Sequence, residues 1–549
     1  MTEPVVRSEP LGGSPLALAA IAGQLPSLYA PIPRTPGEWR SRAIAVRGEF
    51  VGRAWHSALA PGFAATGAAA DRLRRVADGN GIVVTTGQQP GLFGGPLYTW
   101  SKAISALALA DEIQRATGIP TAPVFWAATD DADYAEASWT ALAVPGGAVR
   151  IAMPATKPVG VPMSAMPLGD PSDALDALAQ ACGATADDRP LAAARAAYRA
   201  GVSVGDAYVA LLRTLMEPLG IAVLNASHEA VVGAARPFAL RALERADVIA
   251  AALRDRDAAI RQAGFTPQVA EVAGLSLVFE RVPDGGEKRR IGIAEARSAA
   301  VAASSAILSP NVLLRPVVER AILPTVSYVA GPGEIAYFAQ VSAVATALDL
   351  AWPLIVPRWS TTVIEPHVLR ILHRFGLAVE DLADPHAAES RLGRGAVPAA
   401  IDKALRELRD EVERRSAALA DAAAAAPLDV QPTVFEGTRR AIEHRIDRVE
   451  RRIVAAVKRR EADTLRQIGT ARGALYPLGI RQERALNALP LLARHGSALL
   501  ARMTALASEH ARAYVGSDAA DEPLPGDQSS RMSDARVGAR AEATRVADA

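Results

Sequence analysis

Gly87-Gln88-Gln89-Pro90-Gly91-Leu92-Phe93-Gly94-Gly95-Pro96-Leu97-Tyr98-Thr99-Trp100-Ser101-Lys102 decides the fold. It follows an apolar, β-branched run, Ile82-Val83-Val84-Thr85-Thr86, and leads into helix formers that continue from Ala103 to Ala110. The pattern is strand, glycine-rich turn, helix. A helix start leaves backbone N–H groups unpaired, and glycines let an anion approach them closely. The turn around Gly91 is therefore a candidate cradle for a phosphate or a carboxylate. A tight connection without a ligand is the equal alternative, because the turn matches neither the dinucleotide fingerprint nor the lysine-bearing phosphate loop.

Working outward, the helix stops near Thr117-Gly118, with Pro120 beyond it, and Ala122-Pro123-Val124-Phe125-Trp126-Ala127 reads as a second buried strand. Strand, helix and strand within about 45 residues make a βαβ unit with parallel strands. Gly220 to Leu224 is a third strand candidate, Thr325 to Ala330 a fourth and Pro353 to Pro357 a short fifth. After the fourth, Gly331-Pro332-Gly333-Glu334-Ile335-Ala336-Tyr337-Phe338 repeats the strand, glycine turn, helix pattern. Arg236 to Gln262 reads as one long helix. Leu275 to Glu280 and Arg290 to Ile293 read as a hairpin about a turn at Pro283-Asp284-Gly285-Gly286. The sum is an α/β body with a doubly wound parallel sheet.

Ile401 to Ala426 and Thr438 to Leu465 carry apolar residues in alternating steps of four and three: Ile401, Leu405, Leu408, Val412, then Ile442, Ile446, Val449, Ile453, Ala456. Pro427 and Pro432 separate the two, so an antiparallel coiled-coil hairpin is expected. The domain plan is a helical lead-in at 1–78, in which Arg40 to Ala58 and Ala68 to Ala77 have helical spacing. A core with inserted segments follows at 79–395, the hairpin at 396–466, a helical return to the core at 467–516, and a disordered tail at 517–549.

Among 549 residues the formal net charge is +1, which argues against nucleic-acid or anionic-membrane partners. The single cysteine, Cys182, excludes a disulfide framework and reads as structural, and a reducing cytoplasm is the simplest setting. No apolar run is long enough to span a bilayer, and Glu3, Glu9 and Pro10 before the short apolar piece Leu16 to Ala22 speak against a signal peptide.

Ligands of open parallel sheets bind beyond the carboxyl ends of the strands, where the glycine turn and Thr129-Asp130-Asp131-Ala132-Asp133 both fall. Gln88 and Gln89 are poor packing choices there but good polar ligands. Tyr98 and Lys102 share one helix face, so Lys102 can hold an anion. Asp130 can cap a helix starting at Asp133. The sharper reading is that Asp131 or Asp133 binds or deprotonates a substrate amine, with magnesium the lesser one. Arg315 is a candidate carboxylate holder, and Glu334 a helix-dipole partner. His228, His367, His373 and His444 lack metal-ligand spacing, so neither zinc nor haem is expected.

Gly87-Gln88-Gln89, Gly95-Pro96-Leu97-Tyr98, Lys102 and Pro123-Val124-Phe125-Trp126 resemble the bacillithiol biosynthesis cysteine-adding enzymes, BshC. Leu314-Arg315-Pro316, Tyr328 to Phe338, Pro357-Arg358, Pro477, Gly479 and Gln482-Glu483-Arg484 extend the likeness in order. The resemblance implies a Rossmann-like core with inserted segments and a coiled coil that pairs two subunits into a homodimer. It implies a ligase that joins cysteine to glucosaminyl malate by an amide bond, the last step of bacillithiol synthesis. ATP or ADP is expected near the coiled-coil junction, with Gln482 and Arg484 as its candidates. Substrate would be held by Gly87, Gln88, Gln89, Gly91, Tyr98, Asp130, Arg315, Tyr328, Gly331, Gly333, Glu334 and Tyr337, with Asp131, Asp133 and Lys102 catalytic. One departure stands out: the family's acidic motif reads Glu-Asp-His-Asp, and Ala132 takes the place of its histidine, while Ser138-Trp139 replaces a following asparagine-histidine pair. A degenerate homologue acting as a binding or scaffold protein, a ligase for another amino sugar, and a nucleotidyltransferase are the alternatives.

Overall fold

The computed structural model describes residues 3–154, 159–281, 286–302, 306–384, 397–426, 430–460 and 462–516. The strands, in chain order, are β1 Val5–Glu9, β2 Ile82–Gln88, β3 Thr121–Ala127, β4 Trp139–Val144, β5 Gly147–Ala152, β6 Ala222–Asn225, β7 Leu275–Arg281, β8 Arg289–Gly292, β9 Ile307–Pro310, β10 Thr325–Ala330, β11 Ile355–Pro357 and β12 Ser360–Ile364. Five of them form the central sheet in the order β11-β10-β2-β3-β6, every pair parallel. The order reverses direction about β2, the first strand, which is the doubly wound plan. The β2 run is buried on both faces, as a strand sandwiched between helix layers must be. β7 is the middle strand of a separate antiparallel sheet, β8-β7-β9.

The helix after β2 runs from Leu97 to Thr117 and is buried almost all round, because the Leu489–Val515 helix packs on its outer side. This helix begins at Leu97, six residues after Gly91. Between them lies a 3-10 turn, Leu92–Gly94, with Phe93 in the left-handed region (φ 53°). The turn closes on itself, since a Cβ on Gly91 would stand 2.7 Å from Gly95 Cα. Asn487, fully buried, donates its side-chain amide to the carbonyls of Leu92, Phe93 and Gly95 at 3.2–3.3 Å, while Leu486 O takes the Leu97 N–H at 2.9 Å. The free groups of the turn and of the helix start are therefore used by the chain itself.

Three local readings are corrected. The lead-in contains a strand, β1, paired with β12. The expected helix from Arg40 to Ala58 is two, Pro36–Phe50 and Trp55–Phe63, parted where Val51 turns out of helical geometry. The long helix from Arg236 is likewise two, Glu229–Glu244 and Ala246–Gln262, meeting at Arg245. Residues 283–285 of the expected hairpin turn, the expected tip at Pro427 and the expected tail 517–549 lie outside the described residues.

Contacts along the chain gather into two units: the described residues of Met1–Leu142, Arg150–Val363 and Glu483–Ala549, and those of Ala143–Val149 and Ile364–Gln482. The expected borders at 395–396 and 466–467 fall inside the second unit. That unit has its own core, with Val368, Leu372, Leu382, Ile468 and Leu475 buried together. Its two long helices, Ala399–Ala425 and Pro432–Arg460, are antiparallel: Arg409 pairs with Asp447 and Glu450, and Arg439 with Glu413. Leu405 and Ile446 are buried between them, whereas Ile401, Leu408, Ile442 and Val449 are exposed.

Asn487→Ala should strip the turn carbonyls of their donor and lower stability by about 1–3 kcal/mol. The shift in the chemical-denaturation midpoint of the full-length protein measures it.

Candidate functional site

The carboxyl ends of β2, β3, β10 and β11 open into one cavity of about 640 Å³. Of the residues singled out from the sequence, Gly87, Gln88, Gln89, Tyr98, Lys102, Asp130, Asp131, Arg315, Gly331, Gly333, Glu334, Tyr337 and Arg484 line it. Gly91, Asp133, Tyr328 and Gln482 do not. Gly91 belongs to the closed turn, its carbonyl accepting from the Tyr198 hydroxyl at 3.3 Å. Asp133 caps the short helix Tyr134–Ala137 by accepting the Glu136 N–H at 3.1 Å. The cap is thus Asp133, where the sequence pointed to Asp130. Tyr328 lies behind the wall, and Gln482 donates to the Ala474 carbonyl at 2.8 Å.

The two glycine turns are joined by a buried ion pair. Lys102 Nζ donates to Glu334 Oε2 at 2.6 Å, to Gly87 O at 2.7 Å and to Gln88 Oε1 at 3.0 Å, so all three of its hydrogens are engaged. Glu334 also accepts from the Tyr328 hydroxyl at 2.6 Å and the Gly331 N–H at 2.7 Å. The anion seat of the second turn is thus occupied by the protein's own carboxylate. Burial works against the Glu334 charge, but Lys102 and the hydrogen bonds outweigh it and hold the carboxyl below its ordinary value. Burial pulls the Lys102 ammonium down, and Glu334 offsets only part of that. An anion holder needs free donors, and Lys102 has none to spare.

Other cations are similarly matched. Arg358 makes two parallel bonds of 2.8 Å to Glu483, both side chains buried. Arg315 pairs with Glu319 at 3.1 Å and donates to the Tyr337 hydroxyl at 3.2 Å. Burial pushes the Glu319 carboxyl up to about 7 despite Arg315. Lys288 donates to the Asp130 carbonyl at 2.5 Å and sits 4.7 Å above the Phe279 ring. Arg290 and Arg484 also line the cavity, and among the described residues neither forms an ion pair with a carboxylate, although Arg484 is near enough to Glu136 to oppose the rise of its pKa.

Asp131 is the complement: a half-buried carboxylate that accepts the Asp133 N–H at 2.9 Å. Burial raises its pKa, with Asp130 adding to the rise and Lys288 opposing it. Among the described residues no group of three or more His, Cys, Asp or Glu is placed to hold a metal.

Lys288, Arg290, Asn311 and Glu136 were not singled out from the sequence. Glu136 is tied to Gln89, and burial raises its pKa. The one available signal for the first two was the run Lys288-Arg289-Arg290 in a hairpin strand. Strand alternation sends Arg289 outward to Glu280 and Glu295, leaving its two neighbours for the other side.

Comparison with known proteins bears on this cavity. A model described as "Bacillithiol biosynthesis BshC, N-terminal Rossmann-like domain" matches residues 57–279 and 293–359. One described as "Bacillithiol biosynthesis BshC, C-terminal coiled-coil domain" matches residues 361–515. The chain belongs to the BshC family. Relatives named "Putative cysteine ligase BshC" include one from Solibacter usitatus, 31% identical over 459 residues, covering 78% of this chain and 83% of that one. Another, from Koribacter versatilis, is 33% identical over 449 residues, covering 78% and 81%. A third, from Symbiobacterium thermophilum, is 32% identical over 463 residues, covering 77% and 81%. Among the described residues no helix is long and apolar enough to cross a membrane.

Removing one partner of a buried ion pair costs about 3–5 kcal/mol because the other charge is stranded. Lys102→Met should therefore destabilise the protein by about that much, and Glu334→Gln in the same chain should restore a large part. Denaturation of the two single variants and the double variant checks the coupling.

Proposed function

We propose that this chain is a cysteine ligase that forms an amide bond between the cysteine carboxyl and the amine of glucosaminyl malate, completing bacillithiol. The observation that carries the reading is the content of one cavity: its lining brings the half-buried Asp131 carboxylate together with Arg290 and Arg484, neither of which forms an ion pair with a carboxylate among the described residues. An amine to be acylated needs a base, and the malate and cysteine carboxylates need cations. Membership of a family whose relatives are named as cysteine ligases supports the same reaction.

Asp131 would orient the sugar amine and take its proton as the amide forms. Arg290 would hold a malate carboxylate, and Gln88, Gln89, Tyr98 and Tyr337 would bind sugar hydroxyls. ATP supplies the activation that a free carboxylate lacks. Arg484 suits a phosphate by its charge and its missing partner, whereas Gln482 is already committed to Ala474. The Gly331 N–H does not enter, since Glu334 already accepts it.

Product should appear when the full-length protein is given cysteine, glucosaminyl malate and ATP; its absence at saturation rejects the reading. A raised carboxyl pKa keeps Asp131 protonated further up the pH scale, and only the deprotonated form can accept a proton. Activity should therefore climb with pH through a value above the ordinary aspartate range. Asp131→Asn should lower kcat about 10²- to 10⁴-fold and abolish that acid limb. Rate–pH profiles of the two proteins read both effects.

A second reading is favoured by Ala132, which lines the cavity where the family motif carries histidine. On that reading the chain is a degenerate homologue that binds glucosaminyl malate without acylating it. Calorimetry with glucosaminyl malate separates the two, since tight binding without turnover belongs to the second alone.

The coiled-coil hairpin would pair two subunits. Each of its helices carries two apolar rows seven residues apart, and only the row of Leu405 and Ile446 is buried within the hairpin. The row of Leu408, Ile442 and Val449 suits a second copy. Light scattering at micromolar concentration should give twice the mass of 57.4 kDa, and Leu408→Glu with Val449→Glu should halve it.

A further inference from the structure

Behind the Lys288–Asp130 pair lies a small alcove of about 40 Å³ that shares Asp130, Lys288 and Pro310 with the main cavity. Its lining is largely apolar, with Val231, Leu308 and Val318. Into this lining comes Trp126, at the end of β3 and only 3% exposed, whose indole Nε1–H is buried with no partner among the described residues. A buried donor left unpaired is unfavourable, so the site is incomplete without an acceptor. Ser309 stands on another wall and offers a hydroxyl. A water needs about 10–15 Å³ of such space, so the alcove takes about two or three small atoms and rejects a branched or aromatic side chain.

The alcove mouth carries both signs of charge. Asp130 supplies a carboxylate there and Lys288 a cation, while Asp131 and Arg290 line the main cavity beyond. An α-amino acid presents an ammonium, a carboxylate and a side chain from one carbon. We propose that the alcove holds the –CH2SH side chain of the amino-acid substrate and decides which amino acid the cavity accepts. This inference rests on the ligase reading and adds the location of its amino-acid subsite. A thiol fits the lining because sulfur is a weak acceptor for the indole N–H and S–H a weak donor to a hydroxyl. The ammonium then lies toward the aspartates and the carboxyl toward the open cavity, where the acceptor amine would meet it.

The experiment is calorimetry of L-cysteine, L-alanine and L-valine against the full-length wild type, Ser309→Leu and Trp126→Phe. The wild type should bind cysteine about tenfold or more tightly than alanine, and valine weakly or not at all. Ser309→Leu fills the alcove and should remove that tenfold preference while leaving alanine within about twofold of its wild-type affinity. Trp126→Phe keeps the ring and loses the donor, so its preference for cysteine should drop several-fold. Equal binding of cysteine and alanine by the wild type, or a preference that survives in both variants, overturns the proposal and leaves the alcove a water site. Turnover is scored separately: a wild type that prefers cysteine in binding yet makes no product removes the ligase reading and leaves the subsite standing.

Discussion

The Lys102–Glu334 pair is the constraint on which the cavity depends. Lys102 stands on the helix that follows β2 and Glu334 on the helix that follows β10, and those two strands are neighbours in the sheet. One buried bond of 2.6 Å therefore ties the two strand-to-helix turns to each other. Further bonds from Lys102 to Gly87 O and from Gly331 N–H to Glu334 fix the backbone on both sides. Two charges buried so deeply are costly apart and acceptable only together, which makes the spacing of the turns all-or-none.

That solution changes what the turns can do. A glycine-rich strand-to-helix connection usually offers its free N–H groups to an anion. Here the chain has answered several of those groups itself: the Gly94, Gly95 and Leu97 N–H groups donate to Gly91 O, Leu92 O and Leu486 O in the first turn, and the Gly331 N–H donates to the Glu334 carboxylate in the second. Recognition of anions passes to side chains instead. Most of the cationic ones are matched by carboxylates, Arg358 by Glu483 and Arg315 by Glu319, so they are held in place as walls. Arg290 and Arg484 stand without that constraint, and they are the groups with attraction left for a ligand.

Ala132 stands where the motif that the sequence resembles carries histidine, and Asp130 and Ser138-Trp139 depart from that motif as well. Ala132 and the half-buried Asp131 both line the cavity at the end of β3. A methyl group there cannot move a proton, and the carboxylates nearby in sequence with raised pKa values are Asp131 and Glu136. Both lie above their ordinary range because burial disfavours the charged form.

The sequence alone determined the parallel sheet, the repeated strand–glycine–helix pattern and the coiled-coil hairpin. These rest on local periodicity: doubly buried strands read as continuous apolar runs, and heptads declare themselves within a few turns. It also placed Asp131, Gln88 and Glu334 near the carboxyl ends of strands, because chain order fixes which end of a parallel strand a loop follows. Only the tertiary structure decided which of these residues are free. Lys102 looked like an anion holder until Glu334, more than two hundred residues away, claimed it; Gly91 and Asp133 were drawn into a closed turn and a helix cap. Lys288 and Arg290 came to the cavity from a hairpin whose one local mark was a run of three basic residues. Partnership between distant charges depends on packing, and packing leaves no periodic trace in a single chain.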